Sequence, residues 1–173
     1  EYRRLLMAAK ARRSDRLYTL MLTICSTGIR VGELKYITVE AVGEGRAEIS
    51  LKGKCRIVLL PKALRKQLRE YIRRTGVGSG AVFRTRSGLP LDRSNIAHEM
   101  KRLCAAASVD PGKVFPHNLR HLFARTFYGL EKDIVRLADL LGHSSVDTTR
   151  IYTMETGDGH RLRLERVENL LMT

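Results

Sequence analysis

Acidic residues are scarce in this chain: 18 Asp and Glu stand against 32 Lys and Arg, a formal charge of +14 over 173 residues. Solubility alone does not ask for such an excess, so the natural partner is a polyanion, with nucleic acid first among them. Cysteine is nearly absent too. Cys25, Cys55 and Cys104 are odd in number, far apart and without metal-ligand spacing, which argues against a disulfide framework or a zinc site and fits a reducing cytoplasm. No apolar run is long enough to span a bilayer and the start is not signal-like, so no membrane partner is expected. Internal repeats and low-complexity stretches are missing as well. With no long polar interruption, the chain has the size of one ordinary domain with a sizeable core. It opens at Glu1 rather than Met, which suggests a fragment preceded by further residues in the full gene product.

Apolar residues at helical spacing predict helices over residues 2–12 and 15–27, with Ser14 and Asp15 as caps between them. Thr27-Gly28 ends the second, and a short helix over 31–37 begins at Arg30, where a helix start favours bound anions. Alternation over 38–42, 46–51 and 56–60, with Gly43, Gly45 and Gly53 at the turns, predicts a small antiparallel sheet. Helical patterns resume over 62–74. A further helix capped by Asp92 or Ser94 runs to residue 107, followed by helices over 117–128, 132–141, 145–152 and 160–171. The expected class is mostly α with one small antiparallel β-sheet.

In chain order Arg30, Lys52, His117, Arg120, His143 and Tyr152 form a set of cations and imidazoles ending in a phenol. Phosphoryl transfer asks a protein mainly for positioning and for neutralising charge on the equatorial oxygens, which paired guanidinium forks do well. Arg30 lies between Ile29 and Val31, and Arg120 has Leu119 and Leu122 beside it, so both are expected at a wall rather than on a solvated face. A buried arginine needs an acidic partner or an anion, and Glu33, one turn after Arg30, suits the first role. His117 and Arg120 share a helical face, within reach of one phosphate. His143 follows Leu141-Gly142 and lies nine positions before Tyr152, which lets both face one pocket. Singly, each of these is an ordinary surface arginine or capping histidine; their weight lies in occurring together.

Thr27-Gly28-Ile29-Arg30-Val31-Gly32-Glu33-Leu34 resembles the first arginine motif of the tyrosine recombinases, the phage-integrase family, which includes the integrases of conjugative transposons and serves chromosome-dimer resolution. His117-Asn118-Leu119-Arg120-His121 is similar to the family's His-x-x-Arg motif. Leu140-Leu141-Gly142-His143 followed by Thr148-Thr149-Arg150-Ile151-Tyr152 is similar to its nucleophile segment. The likeness runs from residue 2 to residue 152. It implies a catalytic domain over 1–157, a tail helix over 158–173, and a core-binding domain that belongs before them and is missing from this chain.

The activity so implied is site-specific DNA recombination by a transesterification without metal or cofactor. Tyr152 attacks a DNA phosphate to give a 3′-phosphotyrosine and a free 5′-hydroxyl, and a second strand's hydroxyl reverses the step. An unperturbed tyrosine has a pKa near 10, so a base must help. By similarity that base is His117, while Arg30, Arg120 and His143 stabilise the phosphorane and a lysine on the sheet hairpin protonates the leaving oxygen. In Lys52-Gly53-Lys54-Cys55-Arg56 the turn is one residue shorter than is usual in the family. Counted from the first strand the acid is Lys52; counted back from Arg56, or by separation from Arg30, Lys54 is the alternative.

Lys54, Arg56, Arg84, Arg86, Arg93, Lys101 and Arg102 are expected on the DNA backbone, where positioning contacts outnumber base-reading ones. The implied partners are double-stranded recombination sites, further copies of the chain in a synaptic tetramer, and accessory DNA-bending proteins, in the nucleoid of a bacterial cytoplasm. Leu162, Leu164, Val167, Leu170 and Leu171 form an apolar side of the tail, which suits docking on a neighbouring protomer or folding back in cis. Two other readings stand beside this one: nicking and resealing in the manner of a type IB topoisomerase, and a catalytically silent DNA-binding regulator.

Overall fold

The computed structural model describes residues 1–51, 53–85, 87–89, 91–152 and 167–168. The element order is α1 (Tyr2–Ala11), α2 (Asp15–Thr27), a 3-10 turn (Val31–Tyr36), α3 (Val39–Glu44), β1 (Arg46–Leu51), β2 (Lys54–Leu59) and α4 (Lys62–Thr75), then α5 (Arg93–Lys101), α6 (Cys104–Ala107), a 3-10 turn (Pro111–Lys113), α7 (Pro116–Glu131), α8 (Ile134–Leu141) and α9 (Asp147–Arg150). The class is the expected one, mostly helical with a small antiparallel sheet.

Helix α2 is the spine, packed against α1, α4, α5 and α7. Its Leu20, Met21 and Ile24 are fully buried, and so are Thr19 and Thr23. Threonines inside a core need local acceptors. Thr23 Oγ1 donates to the Thr19 carbonyl at 2.8 Å and Thr27 Oγ1 to the Thr23 carbonyl at 2.7 Å, which satisfies both hydroxyls within the helix. The main core runs from Leu5 to Leu119 in sequence, and a second, smaller cluster joins Ala124 of α7, Leu137 and Leu141 of α8, and Tyr152. Helix α7 thus bridges the two.

Among the described residues the sheet has two strands, not three. Residues 38–42 were expected to extend, but only Thr38 does, in a single bridge to Ala81; residues 39–42 are helical, because the Thr38 hydroxyl caps α3 by accepting from Ala41 N–H at 3.1 Å and Gly45, at φ 87°, ends it. Alternation gave way to end chemistry. In the β1–β2 ladder Arg56 stands opposite Ile49, on the face where Ile49 and Val58 are buried, whereas Ile57 and Leu59 point outward.

Other boundaries shift by local causes. The helix expected to run to residue 107 breaks between Lys101 and Cys104 into α5 and α6, with the Asp92 carboxylate capping the first by accepting from Ser94 and Asn95. Ser14 occupies the cap position of α2 but makes no side-chain bond there. The helix expected over 132–141 starts at Ile134, because Lys132 turns left-handed and Asp133 caps through Arg136 N–H. That expected over 145–152 shortens to α9. The tail expected over 160–171 lies outside the described residues except Val167 and Glu168.

Candidate active site

The three residues that end α8 organise the site. Carbonyls at a helix C-terminus lack intrahelical partners and carry the negative end of the dipole, so they attract cations. Here the carbonyls of Leu140, Leu141 and Gly142 each accept from a different guanidinium: Arg56 Nη1 at 2.9 Å, Arg120 Nη2 at 2.8 Å and Arg30 Nη2 at 3.4 Å. Arg120, 3% exposed, also donates to the Gly28 carbonyl at the end of α2. Apart from His143, its partners are backbone oxygens.

The acid serves the other two arginines. Glu33 is buried; it accepts from Arg30 N–H and Arg30 Nη1, both at 2.9 Å, and from Arg56 Nη2 at 2.5 Å. Burial alone would raise its carboxyl, but the Arg30 N–H, Arg56 and the Arg30 guanidinium together pull it below the usual carboxylate range. Arg56 was expected to grip the DNA backbone. It is instead turned inward with a side chain 14% exposed, and its Nε has no hydrogen-bond partner among the described residues. Among the described residues, three guanidinium charges face one carboxylate, an excess of two positive charges that favours a bound anion.

Two of the three motif glycines are required by this packing. Gly28 and Gly142 have φ of 66° and 64°, which favour glycine, and a Cβ would strike Phe123 at the first and the Arg56 side chain at the second. A larger residue at Gly142 would push Arg56 away from the α8 carbonyls, and one at Gly28 would press on Phe123 and Leu141.

His143 sits against Arg120, with Nε2 3.1 Å from Arg120 Nη2 and Nδ1 2.8 Å from Thr149 Oγ1. Burial, then Arg120, Arg30 and Arg56, depress its pKa to about 4, so the ring is neutral at neutral pH. Burial and the other two arginines likewise lower the Arg120 guanidinium to about 10, which leaves it charged. Tyr152 is 8% exposed within the smaller apolar cluster. Burial raises its phenol, while Arg120, Arg125 and Arg30 pull the other way.

His117 is exposed on the first turn of α7 and pairs with His121, Nε2 to Nε2 at 2.5 Å, rather than with Arg120. His121 in turn lies edge-on to the Tyr152 ring, with centroids 5.1 Å apart. The structure therefore brings Arg30, Arg120, His143 and Tyr152 together with Glu33, and connects His117 to Tyr152 through an intermediate imidazole. Lys52 and Arg86 lie outside the described residues, as does the side chain of Lys54, whose backbone pairs with Leu51. Arg93 and Arg102 are exposed at the two ends of α5, Lys101 Nζ lies 4.3 Å from the centre of the Phe115 ring, and Arg84 is half-buried. Sequence reasoning missed Arg56 as the third guanidinium on the α8 carbonyls, and it missed His121 and Thr149, although both stand inside the motifs it quoted.

A family model described as the phage integrase family matches residues 1–157. The chain is 32% identical over 167 residues to Tyrosine recombinase XerA of Pyrococcus furiosus, covering 91% of this chain and 57% of that protein. Against Tyrosine recombinase XerH of Campylobacter jejuni it is 32% identical over 153 residues, covering 85% and 43%. The solved XerA recombinase superposes with a TM-score of 0.78 at 29% identity, over 95% of this chain and 60% of that one. The Tn1549 transposon integrase, at 16% identity and a TM-score of 0.75 over 96% and 63%, shares the fold. The chain belongs to the phage integrase family, and its fold is that of the tyrosine recombinase catalytic domain. It spans about half the length of the curated relatives it matches.

Proposed function

We propose that this chain is the catalytic part of a site-specific DNA recombinase that cleaves and rejoins DNA through a 3′-phosphotyrosine on Tyr152. The observation that carries the reading is the arginine cluster at the end of α8, two positive charges in excess, with a neutral His143 and Tyr152 beside it. A phosphodiester supplies the missing anion. Arg30 and Arg120 then neutralise the equatorial oxygens, and His143 gives a hydrogen bond to one of them. Glu33 and Arg56 act as a buttress, holding Arg30 and the hairpin against α8.

In the chemical step the Tyr152 oxygen bonds to phosphorus, the bond to the 5′-oxygen breaks, the phenolic proton passes to His117, and a lysine protonates the leaving oxygen. Lys52 is our assignment for that acid, with Lys54 as the alternative. The raised Tyr152 phenol makes a base necessary, and its apolar seat means the ring must shift outward to reach phosphorus. Arg84, Arg86, Arg93, Lys101 and Arg102 hold the duplex backbone, copies of the chain assemble on DNA as a tetramer, and the tail docks in trans. The XerH relative, solved with its difH substrate in a pre-cleavage complex at 25% identity, supports DNA as the partner.

The test is covalent trapping of the full-length protein on nicked duplexes cut from the ends of its element, resolved on denaturing gels. An adduct that forms with wild type and not with Tyr152→Phe supports the reading. Specific binding without an adduct rejects it in favour of a DNA-binding regulator, and resealing without exchange between duplexes favours a topoisomerase.

A further inference from the structure

Thr149 has no expected role in the chemistry, yet it is fully buried between the two groups on either side of the reaction. Its carbonyl accepts Tyr152 N–H at 3.0 Å, so it carries the turn that ends in the phenol. Its hydroxyl lies 2.8 Å from His143 Nδ1, and on the far side of the ring Arg120 Nη2 lies 3.1 Å from Nε2. A guanidinium has only donors. Nε2 must therefore accept, the neutral ring carries its proton on Nδ1, and that proton is donated to Thr149 Oγ1. An imidazole that is to donate to a phosphate from Nε2 has its proton on the wrong nitrogen in this arrangement. A hydroxyl both donates and accepts, so one threonine can serve either tautomer without orphaning a buried polar atom.

We propose that Thr149 is a positioning residue that sets the tautomer of His143. Its hydroxyl accepts from Nδ1–H while Arg120 occupies Nε2, and reverses to donate to Nδ1 when a phosphate replaces Arg120 as the partner of Nε2. The ring stays neutral throughout: one proton leaves Nδ1 for water, and another is taken from water at Nε2. Because Tyr152 hangs from the same residue, the turn bearing the nucleophile and the hydrogen bond to the phosphate are set by one side chain. The inference rests on the recombinase reading, which puts a phosphate at this place. Valine has the shape of threonine but can serve neither tautomer, whereas serine keeps the hydroxyl.

The experiment is ¹⁵N NMR of histidine-labelled full chain near neutral pH, titrated with inorganic phosphate, alongside single-turnover cleavage of a nicked duplex. Wild type is expected to show Nδ1–H at His143 without phosphate and Nε2–H with it. Thr149→Ser should behave alike and cleave within a small factor of wild type; Thr149→Val should show mixed tautomers and cleave about tenfold more slowly, the effect of one lost hydrogen bond. A wild-type ring with Nε2–H or two protons before phosphate, or with two protons after it, overturns the proposal. So does a Thr149→Val chain that switches like wild type, or a Thr149→Ser chain as slow as Thr149→Val. Failure of the recombinase reading would show separately, as a wild-type protein that forms no Tyr152-dependent adduct, since the tautomer measurement needs no cleavage.

Discussion

Replacing Glu33 by Gln should destabilise the fold by roughly 3 kcal/mol, within the range for breaking a buried ion pair. The side chain is 2% exposed and bridges Arg56, 14% exposed, and Arg30, 44% exposed. Nearly all of the cost falls on the Arg56 side, because solvent screens the half-exposed Arg30 and holds its share below about 1 kcal/mol. Glutamine keeps one oxygen for the Arg30 N–H, so the change isolates charge from shape. With an m-value of about 2 kcal/mol per molar urea, the unfolding midpoint should fall by ~1.5 M. The pH dependence follows from the lowered Glu33 carboxyl. The unfolded chain binds that proton more readily, so the stabilisation is complete above the ordinary glutamate value, about 4.3, and is lost as pH falls through the lower folded value. The gap between wild type and Glu33→Gln should therefore close on acidification. Urea melts of both proteins at several pH values measure it. A midpoint shift below about 0.3 M, or a gap that does not narrow, would falsify the charge argument.

His143, depressed to about 4, destabilises the folded state progressively as pH drops from the ordinary histidine value, about 6.5, toward that figure; His143→Asn should remove that slope from thermal melts. Arg120→Lys loses the fork that reaches the Gly28 and Leu141 carbonyls and His143 together, and should lower the single-turnover cleavage rate by about 10²–10³. Leu137→Ala, at a fully buried position in the cluster that seats Tyr152, should cost about 2–5 kcal/mol in urea melts. Thr38→Ala removes the cap of α3 and should cost about 1 kcal/mol in the same assay.

The sequence by itself determined the helical class, the position of the hairpin, the excess of positive charge and the order of the chemical groups, because these rest on spacing and on residue type. Apolar periodicity marked α2, α4 and α7 closely. It failed at residues 39–42, where alternation resembled a strand but the Thr38 cap and the left-handed Gly45 close a helix, an effect of end geometry that pattern alone does not carry. Glu33 as the partner of Arg30 was legible because the two are one turn apart. What only the tertiary structure decided was where the guanidinium groups converge. Arg30 and Arg56 reach the end of α8 across 112 and 84 residues of sequence, and Arg120 is held by carbonyls of two helices more than ninety residues apart in sequence. Backbone oxygens have no letter in the sequence. Their value as cation ligands arises only when a helix ends at a glycine that lets the arginines approach, so the charge balance of the site belongs to the packing and not to the motif.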